Sequence, residues 1–136
     1  MSKNKNVILY GVLSLIIIGA IYFIPMFLND PFEKIKTEIL QTNKTLPKMV
    51  DEETRLELVQ FVDKKIETYY TLVKITKEEV DVEKIIPGVK ESLKNSICGK
   101  QNFLDNLSKG VDYSFTYKDK NSELISTIII TKSDCK

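Results

Sequence analysis

Two cysteines, Cys98 in NSICGK and Cys135 in KSDCK, are the residues best equipped for covalent chemistry in this sequence, which contains no histidine. Thiol chemistry needs company. A nucleophilic thiolate normally has a histidine partner, and a redox dithiol normally sits in Cys-x-x-Cys. A zinc site takes about four ligands. None of these patterns is present, so the two thiols read as one structural disulfide, Cys98–Cys135, provided they lie in an oxidising compartment.

The other polar constellations read the same way. Asp51-Glu52-Glu53 is a run of carboxylates with nothing near it in sequence to move a pKa, and reads as a solvated loop. Asp119-Lys120-Asn121-Ser122-Glu123 faintly resembles a calcium loop. It has Leu124 where the sixth-position glycine belongs and Ile130 where the twelfth-position glutamate belongs, so it reads as a hairpin turn. Tyr69, Tyr70, Tyr113 and Tyr117 could stack on a sugar or a base, but cross-strand and core packing accounts for them more simply. Ser108-Lys109 are sequence neighbours on a polar stretch, without the spatial logic of a dyad. The few glycines form no phosphate-binding loop. No catalytic, cofactor-binding or metal-ligating residue is assigned, and no cofactor is expected.

The elements that carry these residues follow from periodicity. PFEKIKTEIL opens on Asp30 as a helix cap, with Pro31 at the first position and Glu33 completing a capping box. Phe32, Ile35, Ile39 and Leu40 form its apolar face, and it should end near Asn43. Residues 54–62 and 66–75 are rich in β-branched and aromatic residues and predict a hairpin turning at Asp63-Lys64-Lys65. In 81–98, Val82, Ile85, Ile86, Val89, Leu93 and Ile97 fall at helical spacing, with Asp81 as cap and Gly99 beyond the end. Pro87-Gly88 predicts a kink there, or a helix that begins only at Pro87. Residues 101–109 predict a short helix stopped by Gly110. Val111, Tyr113, Phe115 and Tyr117 alternate with polar neighbours, and 123–131 returns after a turn. The sum is an α+β domain in the order α-β-β-α-β-β, an antiparallel sheet with helices packed on one face.

Ahead of this domain, residues 7–28 (VILYGVLSLIIIGAIYFIPMFL) carry no charge. A helix of this length spans roughly 33 Å, enough for a hydrocarbon core of about 30 Å. A cleaved signal is the weaker alternative, because Ile18 stands where a small residue should precede a site ending at Ala20. Lys3 and Lys5 lie before the span and a mixed set of charges follows it. The positive-inside rule therefore puts 1–6 in the cytoplasm, an anchor at 7–28 in the inner membrane, and 29–136 in the periplasm. The periplasm is oxidising, as the disulfide requires. With 20 basic and 19 acidic residues and no basic stripe, the chain has no nucleic-acid signature.

Leu46-Pro47-Lys48-Met49-Val50-Asp51, then Thr54-Arg55-Leu56 and Tyr70-Thr71-Leu72, then Cys98, Gly110, Tyr113, Tyr117, Asp119 and Cys135, resemble a group of small secreted or membrane-anchored proteins of Gram-negative bacteria. The resemblance covers residues 46–135. It implies a periplasmic α+β domain with a cysteine pair, and carries over no reaction.

The expected function is therefore that of a membrane-anchored, non-catalytic interaction module whose partner is a membrane-proximal envelope protein. The alternatives are a small-ligand or lipid carrier, which would show an apolar cavity between sheet and helices, and a carboxylate-dependent hydrolase, which would show acidic residues converging with raised pKa values.

Overall fold

The computed structural model describes residues 30–136. The expected anchor over 7–28 and the tail over 1–6 lie outside the described residues. Among the described residues no helix is long and apolar enough to cross a membrane. The chain divides into two units, Met1–Lys34 and Ile35–Lys136, and the second contains the sheet and its core.

Asp30 accepts a hydrogen bond from the Phe32 backbone N–H on its Oδ1 (2.9 Å), and the Glu33 N–H reaches the Asp30 carbonyl (3.1 Å). Helix α1 then runs Glu33–Asn43. Strand β1 is only Lys48–Met49. Strands β2 (Thr54–Val62) and β3 (Lys65–Leu72) form the expected hairpin, though its loop is just Asp63-Lys64. Both residues have positive φ (49° and 57°), the conformation of a two-residue hairpin turn that matches strand twist. Helix α2 spans Val82–Cys98 and α3 spans Gln101–Ser108. Strands β4 (Asp112–Lys118) and β5 (Leu124–Ile130) form the second hairpin, and a 3₁₀ turn, Lys132–Cys135, follows.

The sheet has five strands in the order β1-β2-β3-β4-β5, and it is mixed. The expectation of an antiparallel sheet is corrected at one pairing: β3 and β4 run parallel, from Lys65 opposite Asp112 to Thr71 opposite Lys118. Parallel neighbours need a long crossover connection, and α2 with α3 supplies it. Each hairpin has the antiparallel pairing its turn dictates. Nothing in either hairpin says how the two will meet.

In α2 the later start, at Pro87, is overturned. The helix begins at Val82, with Asp81 Oδ1 accepting from the Lys84 N–H, and continues with Pro87 inside it. Pro87 removes one donor, but Glu83, whose carbonyl that donor would have met, is exposed, so water can serve it. At Gly99 a β-carbon would lie 2.8 Å from the Asn95 carbonyl oxygen, so any other residue here requires the end of α2 to shift. Gly110, with φ +80°, ends α3 as expected.

The core lies between the crossover helices and one face of the sheet. Ile97 and Leu107 from the helices pack on Tyr113, Phe115, Ile128 and Ile130. Those strand residues alternate along β4 and β5, so period-2 patterning places them all on the helix side.

Sequence reasoning passed over Asn43. Beyond the two residues of β1, the outer edge of β2 is sealed by this side chain. Asn43 Nδ2 donates to the Val59 carbonyl (2.7 Å), and the Val59 N–H donates to Asn43 Oδ1 (3.0 Å). One amide thus reproduces what a neighbouring strand would offer, and protects an edge that would otherwise invite pairing. Asn43→Ala is expected to cost about 1–2 kcal/mol, seen as a lower unfolding midpoint, and to speed amide exchange at Val59. Unchanged exchange at Val59 would show that the edge is held by something else.

Candidate functional site

An apolar trough opens on the helix side of the sheet, with a volume of about 390 Å³. Its floor is Tyr70 and Leu72 of β3, Tyr117 of β4 and Ile125 of β5. One wall is Val80, Ile85, Ile86 and Val89. The opposite lip is Val50, Asp51 and Thr54, where β1 turns into β2.

Local rules place these side chains. Tyr70 and Leu72 are two apart on one strand and share a face. Ile85, Ile86 and Val89 follow helical spacing and form the side of α2 that looks at the sheet. The parallel register puts Tyr70 directly beside Tyr117. Their rings stack with centroids 5.2 Å apart and planes 14° from parallel. The lips stay open: Val50 is 51% exposed and Ile85 47% exposed, although both are aliphatic.

The trough is poor in acid–base chemistry. Burial pushes the Tyr117 hydroxyl up to about 12, with the neighbouring Tyr70 adding to the effect, and burial raises Tyr70 as well. Both phenols are therefore neutral donors across the physiological range. Asp51 is held below the ordinary carboxylate value, first by the Glu53 backbone N–H and then by Thr54. Its Oδ1 accepts from both N–H groups at 2.8 and 2.7 Å, so this oxygen is committed to the turn.

A pH titration followed by phenolate absorbance checks this arrangement. Of the four tyrosines among the described residues, the last should ionise near pH 12, and Tyr117→Phe should remove that phase. The sign follows from the raised folded value. Its stabilising contribution is intact below the ordinary 10.0 and fades as pH rises through the folded value. If the final phase survives in Tyr117→Phe, Tyr117 is not the buried phenol.

The other residues singled out in the sequence scatter. Cys98 ends α2 and is joined to Cys135 in the turn after β5, with Cα atoms 5.4 Å apart. The bond ties the crossover to the end of the sheet. Lys90 and Asp134, 3.6 Å apart, make a second tie between the same two segments. Glu52 and Glu53 are exposed beside Asp51 on their loop. The four tyrosines divide three ways. Tyr70 and Tyr117 line the trough. Tyr113 is buried, with its hydroxyl accepting from Asn106 Nδ2 (2.9 Å) and its ring edge-on to Phe103. Tyr69 lies on the other face of the sheet, donating to Glu67 Oε2 (2.9 Å) and accepting from Gln60 Nε2 (3.1 Å). Ser108 Oγ donates to the Asp105 carbonyl (2.7 Å), a helix-end contact. Among the described residues no group of three or more histidine, cysteine, aspartate or glutamate side chains could hold a metal ion.

The fold and site together define a small α+β domain, a mixed sheet under a helical crossover with a trough beside its aromatic pair. No family model and no curated relative matches the sequence. Solved structures do share the fold. A Pseudomonas aeruginosa protein described as secreted aligns with a TM-score of 0.65 at 14% identity, covering 77% of this chain and 89% of its own. EpsS, the pilotin of the Vibrio vulnificus type 2 secretion system, aligns with a TM-score of 0.59 at 11% identity, covering 74% and 87%. AspS, the Vibrio cholerae type II secretion pilotin, aligns with a TM-score of 0.54 at 15% identity, covering 74% and 87%. At these identities the likeness is one of fold.

Proposed function

We propose that this protein is a non-catalytic interaction module of the bacterial envelope, acting as an accessory factor of an envelope assembly, with the apolar trough as its contact surface. The observation that carries this reading is the half-exposed pair of aliphatic lips, Val50 and Ile85, over a floor built from stacked tyrosines. Contiguous apolar surface that remains open on a folded domain marks a binding site for another molecule. The fold shared with two secretion pilotins supports the choice of an envelope assembly.

The hydrolase alternative draws no support from the carboxyls. The described carboxyls with a clear shift, Asp51, Glu57, Glu67, Glu79, Asp119 and Asp134, are all lowered, the wrong direction for a general acid. The cavity volume suits a small ligand. Its open lips favour side chains of a partner over an engulfed molecule, because ligand pockets usually bury about 70–90% of what they hold.

In this reading residues 1–6 are cytoplasmic, 7–28 anchor the chain in the inner membrane, and 29–136 stand in the periplasm. Only Asn29 separates the apolar run from the Asp30 cap, so the domain works at the membrane surface. An alkaline phosphatase fused after Lys136 should be active; an inactive fusion overturns the orientation. The interaction itself is tested with a photocrosslinking amino acid placed one at a time across the exposed surface, in the native envelope. A discrete protein adduct from at least one position is the expected result. No adduct from any position sinks the reading.

A further inference from the structure

We propose that the trough receives the apolar face of a basic amphipathic helix belonging to the partner protein. The proposal rests on the interaction reading above and specifies its partner's chemistry. Two observations lead to it, one of shape and one of charge.

The shape is that of a groove floored by a sheet and walled along one side by α2, with Val50 and Ile85 as lips. An amphipathic helix uses such a surface by laying residues at i, i+3, i+4 and i+7 into it. The volume of about 390 Å³ holds a few aliphatic side chains and not a whole helix, so the helix backbone would ride on the lips.

The charge surrounds those lips. Beside Val50 stand Asp51, Glu52 and Glu53, and beside Val80 and Ile85 stand Glu78, Glu79, Asp81 and Glu83, all exposed. The cations near them are fewer. Lys74 faces Glu53 at 3.9 Å, Lys84 faces Asp81 at 3.5 Å, the Lys120 charge acts on Glu79, and Lys48 and Lys77 are exposed near Val50 and Glu78. The rim therefore keeps a negative excess even though the whole chain is near neutral. A negative rim around an apolar floor selects a ligand with an apolar stripe and positive flanks. It disfavours a fatty acid, whose carboxylate would sit at that rim, and an anionic bilayer for the same reason. Strand addition at the β2 edge is the competing mode, and the Asn43 amide already occupies that edge at Val59.

The test uses the full chain in nanodiscs of neutral phosphatidylcholine and two synthetic peptides of about 18 residues, long enough for a helix. Both carry the same leucine stripe; one has lysine on its polar face and the other glutamate. The lysine peptide should bind, and the glutamate peptide should bind at least about tenfold more weakly. Replacing the rim charges (Glu52→Gln, Glu78→Gln and Glu83→Gln together) should bring the two affinities to within about threefold. Ile85→Ser should weaken the lysine peptide, while its surface position leaves the thermal midpoint near that of the parent. Equal affinity for the two peptides, or insensitivity of the lysine peptide to both variants, overturns the proposal. So does saturable dodecanoate binding with neither peptide bound, which assigns the trough to a small apolar ligand. The envelope crosslinking separates this failure from that of the broader reading. Adducts from Leu58 or Thr127 on the far face, with none from Ile85 or Val50, leave an interaction module whose contact is elsewhere.

Discussion

Cys98→Ser, Cys135→Ser or reduction of the parent protein should lower the unfolding free energy by about 4 kcal/mol, the chain-entropy value for the loop closed by residues 37 apart. That is a large share of the roughly 5–15 kcal/mol that holds a typical domain together. Geometry adds a reason for a full effect. The bond joins the last residue of α2 to the turn after β5, and Cys135 also packs against the core beside Ile97 and Leu107. Loss of the bond frees the C-terminal turn and loosens α2 at the end that sits on the sheet. Denaturant unfolding with and without a phosphine reductant measures it. Coincident midpoints in the two conditions would remove the disulfide from any account of this domain's stability.

Asp119→Ala should be the most damaging substitution of a polar side chain. Asp119 is 0% exposed, yet it is a carboxylate. Its Oδ1 accepts from the N–H groups of Asn121 and Glu123, both at 2.8 Å, and its Oδ2 accepts from the Lys77 N–H at 3.0 Å. One side chain thus shapes the β4–β5 turn and ties it to the segment that leads into α2. Burial pulls its pKa upward. The backbone donors of Glu123, Lys77 and Asn121, helped by the Lys120 charge, outweigh that and leave it below 3.8. Alanine leaves three part-buried backbone donors without their acceptor, and a fall in thermal midpoint on the order of 5–10 °C is expected. Asparagine should fall between alanine and the parent, because one of its two terminal atoms donates and cannot accept.

The pH dependence carries its own sign. A lowered folded pKa makes the contribution of Asp119 present above the unfolded value of 3.8 and lost as pH falls through the folded value. Asp134, lowered first by the Thr131 backbone N–H, acts in the same direction. The parent should therefore lose stability below about pH 4, and Asp119→Ala should lose less over that interval. Equal acid sensitivity in the two proteins would mean that Asp119 is not the group that titrates.

Much of the local structure was legible in the sequence because short-range rules govern it. Asp81 and Gly99 bracket α2, and Gly110 stops α3, through capping and φ preferences that need no knowledge of distant residues. Alternation in Tyr113, Phe115 and Tyr117 specified which face of β4 is buried, since side chains on a strand alternate whatever the strand pairs with. The pairing of Cys98 with Cys135 followed from a count of two, the lack of any partner for other chemistry, and the oxidising compartment expected from the apolar segment.

Tertiary structure decided the rest. The two hairpins could have met antiparallel. Joining β3 to β4 in parallel is a consequence of how α2 and α3 cross the sheet, and no single segment encodes it. That pairing sets Tyr70 on Tyr117 and so makes the floor of the trough, while Tyr69 and Tyr113, equally prominent in the sequence, go to the opposite face and to the core. Asn43 and Asp119 look like ordinary helix-end and turn residues. Their partners, Val59 and Lys77, lie 16 and 42 positions away, and only folding brings those backbone groups within hydrogen-bonding reach. Local propensity is written along the chain. A site assembled from five separate segments exists only once burial of a shared core has selected one arrangement of them.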